Sequence, residues 1–162
     1  MIPGLIAGAL GGALMGIVLM LGSGMLGRGL WTPLQQIGAV VLRDRWQEMG
    51  VLAAVLGVLV HFAFSALLGG IFALVTRRIE ARSLLAMMGI VYAGLVYVVM
   101  TFLVLPWADP WFIYRTHVGR LLVGYAVFGV TLGLALPSAE QMLAERREHG
   151  PRMTGRPRVG PA

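Results

Sequence analysis

The side chains in this 162-residue chain best suited to hold a metal, a haem or a proton are His61, His117 and His149. Cysteine is absent, which excludes disulfides, iron–sulfur clusters and thiolate metal sites. His61 lies about ten residues into an apolar run, roughly 15 Å along a helix and near the middle of a hydrocarbon core. Polar groups at that depth are costly and face the interior of a bundle. Ser65 follows one turn later, and Tyr97 and Thr101 occupy a later apolar run. Together these four residues form a candidate buried polar or ligand site. In its structural form, His61 is hydrogen-bonded to Thr101, Tyr97 or a carbonyl of a neighbouring helix. In its functional form, it binds a ligand, a metal or a haem, or handles a proton.

A haem shared by His61 and His117 would need both imidazoles on opposite sides of one iron. Arg115 and Arg120 hold His117 near the membrane surface, well away from His61. A shared haem is therefore not expected, and no cofactor or metal is called for. A second cluster, Asp109, Tyr114, Arg115, His117 and Arg120, stands at the mouth of the last apolar run, with Asp44 and Glu48 in another loop. Such groups could assemble a hydrolytic or metal site, but none has the spacing of a catalytic motif. Interfacial anchoring is their expected work. No catalytic residue is assigned, and the chain is not expected to be an enzyme. His149 belongs to a solvated tail.

The elements that must position these residues are apolar. Hydrophobic residues make up 58% of the chain and charged residues 12%, against about 25% in a soluble domain. The mean hydropathy is +0.83. Four runs, near 4–26, 51–75, 84–106 and 118–137, can each cross a hydrocarbon core. The first has no preceding basic residue and exceeds a signal-peptide core, so a retained span is expected. Between the first two, Thr32-Pro33 starts a short helix, with Thr32 as N-cap. Leu34, Ile37 and Val41 share one face while Gln35 and Gln36 look away, which predicts a helix lying in the interface.

Glycines mark the first span at every fourth residue: Gly4, Gly8, Gly12 and Gly16. Four-residue spacing stacks them into a groove on one helical face. In lipid, small residues let a second backbone come close, and packing within the chain is preferred here to oligomerisation. The second span carries Ala53, Gly57, His61, Ser65, Gly69 and Ala73 at the same spacing. The third carries Gly89, Ala93, Tyr97 and Thr101, and the fourth Tyr125, Gly129 and Gly133. The expected fold is all-α: a polytopic membrane protein with four transmembrane helices in a glycine-packed bundle and a short interfacial helix in the first outer loop. The transmembrane domain covers 1–137, a juxtamembrane helix 138–149 opens at a capping box of Ser138 and Gln141, and a basic tail occupies 150–162. The two halves share a weak likeness, since His61 and Phe72 stand at the same interval as His117 and Phe128.

The net charge of +6 comes from arginine alone. Arg77, Arg78 and Arg82 fall in one loop and Arg146, Arg147, Arg152, Arg156 and Arg158 in the tail, which puts both termini in the cytoplasm. The tryptophans Trp31, Trp46, Trp107 and Trp111 all fall in the outer loops. The arginine-rich tail suits anionic lipid, and no folded basic face suits nucleic acid.

At His61-Phe-Ala-Phe-Ser65, at Leu105-Pro-Trp107 followed by His117, and at the Gly-Leu-Ile-Ala-Gly start, the chain resembles the YagU-like family. The resemblance implies a small four-span protein of the bacterial inner membrane, linked to acid-stress survival and without an assigned catalytic activity. It supplies no catalytic residues, and the first loop is shorter here. The expected function is a structural, accessory or stress-related membrane protein, alone, as a homo-oligomer or in a larger membrane complex. The alternatives are a small transporter or channel with His61 in its path, and a histidine-ligated haem or metal protein. No Asp or Glu lies within the spans, and Arg120 at the mouth of the fourth is their one Arg, which weighs against coupled transport.

Overall fold

A chain this apolar must satisfy its backbone within each segment, and helices do so. The computed structural model of the chain describes residues 1–42, 48–79, 81–108 and 118–148, with side chains of the last stretch described from 119 to 139. Every regular element among them is helical. They are α1 (Ile2–Met25), α2 (Thr32–Leu42), α3 (Gly50–Val75), α4 (Arg82–Val99), a π-helical segment (Met100–Val104), α5 (Leu105–Ala108) and α6 (Val118–Glu148). Four stretches are long and apolar enough to cross a membrane: Ile2–Met25, Gly50–Val75, Arg82–Ala108 and Gly119–Ala139.

The spans pack in the order α3, α1, α6, α4, each antiparallel to its neighbour. Small residues set the closest approaches. A Cβ added at Gly4 would stand 2.5 Å from the Ala73 Cβ, and one at Gly8 would run into the Ser65 carbonyl. On the other side of the molecule, a Cβ at Gly129 would stand 2.6 Å from the Ala93 Cβ, and one at Gly133 2.5 Å from the Leu85 carbonyl oxygen. Between α1 and α6 the filling is larger: Met15, Leu19, Leu121, Phe128 and Leu132 are buried.

The backbones of α3 and α4 stay apart along most of their length. They meet partway along, where the Tyr92 hydroxyl donates to the Leu68 carbonyl at 2.9 Å and the Tyr92 ring tilts against Phe72 at 5.3 Å. Beyond that contact a cleft separates α3 from the Met100–Ala108 segment, and α2 fills part of its rim.

Three local expectations are corrected. Thr32 is the first residue of α2 rather than its cap, and its hydroxyl donates back to the Arg28 carbonyl. The preceding turn passes through Gly27 and Gly29 at φ of 68° and 88°, conformations natural to glycine. Nor does α2 turn both glutamines outward, since Gln36 is buried and Val41 is exposed. The reason is Gly38, which brings α2 antiparallel onto α3: a Cβ there would meet Ala53, and one at Gly57 would meet Leu34. Backbone contact, not the apolar stripe, chooses the docked face. Finally, Ser138 and Gln141 open no new helix, because α6 runs through Pro137 to Glu148. Pro137 cannot donate to the Gly133 carbonyl, but Leu132, Leu136 and Ala139 on both sides of it are buried. Packing outweighs one missing bond.

The third span also changes pitch at Met100. In a regular α-helix the Pro106 ring would collide with the Phe102 carbonyl. The π-helical segment widens the turn, and the Leu105 N–H bonds to the Met100 carbonyl instead.

Substituting Gly8→Leu is expected to lower stability in detergent by about 1 to 3 kcal/mol, the usual cost of overpacking. Leu14, which is 46% exposed, should tolerate Leu14→Ile. Unfolding titrations of the two variants provide the check, and equal tolerance would refute the close approach of α1 to α3.

Candidate functional site

On α3, four-residue spacing puts Ala53, Gly57, His61, Ser65 and Gly69 on one face, and all five are buried. That face meets two partners in succession. Its outer part, Ala53 and Gly57, lies on α2, and its inner part, Ser65 and Gly69, lies on α1. His61 stands at the changeover. Its Nε2 lies 2.8 Å from the Gly12 carbonyl oxygen of α1. A carbonyl only accepts, so Nε2 carries the hydrogen and donates it. Gly12 lets α3 come this close, since a Cβ there would stand 2.5 Å from the Ser65 Cβ, whereas at Gly16 it would only touch the His61 ring, at 3.5 Å from Nε2.

The sequence grouped His61 and Ser65 with Tyr97 and Thr101. The first two do lie together against Gly12, whereas the partner of His61 is neither hydroxyl of the third span. Tyr97 packs edge-on against Tyr125 at 5.5 Å and against Phe102 at 6.5 Å. Thr101 is 1% exposed, and its hydroxyl has no hydrogen-bond partner among the described residues. Residue types cannot announce a backbone acceptor. Only the missing side chain at Gly12 hinted at one.

Beside His61 lies a partly open cavity of about 170 Å³, bordered by all four spans and by α2. Its walls are mostly apolar, from Met15 and Leu19 to Val104, Leu105 and Phe128. Polar atoms come from Gln36, His61, Ser65, Arg120 and Tyr125. Asp109, Tyr114, Arg115 and His117 of the expected outer-mouth cluster lie outside the described residues, as does Asp44. Arg120 is described, and it borders the same cavity as His61. Its Nε and Nη1 are sealed from solvent with no hydrogen-bond partner among the described residues. Gln36 and Arg120 were not linked to His61 by sequence reasoning. Gln36 was assigned to the outward face of α2, and Arg120 to the headgroups.

Among the described residues no three His, Asp or Glu side chains gather as a metal site. An iron or other metal taken by His61 through Nε2 would have to displace the bond to Gly12. The geometry favours His61 as a tie between α3 and α1, placed beside a cavity that ends in a cation.

Replacing His61 by leucine should remove that tie. The expected loss of stability is about 0.6 to 1.7 kcal/mol, the range for side-chain hydrogen bonds between membrane helices. A double-mutant cycle cannot delete the Gly12 carbonyl, so the check is unfolding of His61→Leu beside His61→Gln. The glutamine amide can reach the same acceptor and should recover part of the loss. Equal stability of all three proteins would show that the bond contributes nothing.

The chain matches no protein-family model, no curated protein and no solved structure.

Proposed function

We propose that the chain is a four-span integral protein of a bacterial inner membrane that serves as a structural or accessory component rather than as an enzyme, in keeping with its resemblance to the YagU-like family. The observation that carries this reading is the His61–Gly12 bond. It occupies the one histidine of the spans in holding two helices together. The small-residue faces support the same reading. Gly4, Gly8 and Gly12 on α1, Gly57 and Gly69 on α3, and Gly129 and Gly133 on α6 act as a glycine zipper within the chain, with Gly16 beside the His61 ring. The short helix α2 then sits at the outer boundary of the hydrocarbon and reaches inward to the level of Gly57.

Both termini face the cytoplasm in this reading. Arg77, Arg78 and Arg82 mark the cytoplasmic turn, and the arginines of the tail meet anionic lipid there. The exposed Trp31 and Trp107 mark the opposite interface. A homo-oligomer or a larger membrane complex gives the exposed apolar faces partners other than lipid. No nucleic-acid partner is proposed, and a haem remains the least favoured reading.

A second reading, a small transporter or channel with His61 in the path, is favoured by one observation: the cavity reaches His61 from the side. The two readings part on one experiment. In the structural case His61→Leu lowers stability and leaves no pH-specific phenotype. In the transport or acid-sensing case it folds normally and abolishes the pH response. For the topology, reporter fusions after Ile79 and after Arg152 should report cytoplasm, and one within 107–112 should report export. Any reversal refutes the orientation.

A further inference from the structure

The cavity beside His61 is apolar along its length and cationic at one end. Arg120 borders it near the outer end of α1: a Cβ at Gly22 would stand 3.1 Å from the Arg120 Cδ. Gly22 lies in the last turn of α1, so the guanidinium stands near the end of the span. Its Nε and Nη1 are buried without an acceptor among the described residues. Glu48 is the one acidic side chain described there, and it does not border the cavity. Arg28 adds a like charge close by. A partly buried cation in this position is stabilised by an anion.

Shape restricts what that anion carries. From Arg120 to Phe128 the lining of α6 covers about 12 Å at the helical rise. A dry cavity of about 150 Å³ takes one benzene, so about 170 Å³ takes a carboxyl group and the first few methylenes of one chain. The remainder has an exit. The third span is tied to α3 at the Tyr92–Leu68 bond and stands off from it further out, where Met100, Val104 and Leu105 face the cavity and Phe64, 47% exposed, lies on the rim. A two-chain phospholipid head is too bulky for this space, and a free inorganic ion would leave the apolar walls uncovered.

We propose that this cleft binds the carboxylate end of a single-chain fatty acid, with Arg120 holding the carboxylate and the chain leaving between α3 and the Met100–Ala108 segment into the bilayer. A guanidinium presents paired donors that match a carboxylate. Tyr125 and Gln36 stand on the same walls, within the polar part of the lining.

The test is equilibrium binding of radiolabelled palmitate to the full chain in phosphatidylcholine nanodiscs, at about pH 8, where the acid is ionised. Saturable binding is expected. Methyl palmitate, equal in chain but uncharged, should compete about tenfold or more weakly, the loss of one charge-assisted hydrogen bond. Arg120→Gln should weaken palmitate binding by a similar factor. Leu105→Trp, which narrows the cleft and leaves the charge in place, should also weaken it, and Glu48→Gln should not. The comparison of acid with ester uses the unaltered protein, so it decides even if a variant fails to fold. Absence of saturable binding, equal competition by the ester, or displacement of palmitate by phosphatidylglycerol or by inorganic phosphate at lower concentration would each overturn the proposal.

Discussion

Between helices in lipid there is little hydrophobic force, because the tails are as apolar as the side chains they would replace. Association then depends on how closely two backbones can come. In this molecule backbones come that close where α2 meets α3, where α4 meets α6 and where α1 meets α3, the last with the Gly8 and Gly69 backbones face to face. Everything around His61 depends on that proximity. A side chain at Gly12 would run into Ser65 and push α1 away from α3, which would draw the Gly12 carbonyl away from the imidazole. The same face of α3 continues outward to Ala53 and Gly57, where α2 takes the place of α1.

The four spans were legible because an apolar run of that length has few other uses. The stripes at four-residue spacing were legible as patterns, since helical periodicity is a property of sequence alone. What each stripe would meet was not. The face of α2 was misread because Leu34, Ile37 and Val41 form an amphipathic pattern that has meaning against water, whereas Gly38 sets the docking by letting backbone meet backbone. Pro137 was read as a boundary because a proline removes one helical bond. The buried Leu132, Leu136 and Ala139 that hold the helix together across it are a tertiary fact.

The candidate site was half legible. A lone histidine deep in an apolar run points to itself, and Ser65 follows from the period. The acceptor at Gly12 was invisible because every residue carries a carbonyl. Arg120 was read from its rank along the chain as an anchor among headgroups. Its depth beside Gly22 is compatible with that, but it also borders the cavity that His61 borders. Tyr97 and Thr101 have their own surroundings. Tyr97 meets Tyr125 edge-on, and Thr101 sits in the widened turn that Pro106 imposes.

The separation of α3 from the third span is uneven. Partway along, the Tyr92–Leu68 bond ties the two together. Further on, α2 is added beside α3, and the cavity lies between α3 and the Met100–Ala108 segment. Helix α2 thus adds a fifth helix to the packing in that half alone, and a molecule that reaches the cavity from the side must pass between α3 and α5.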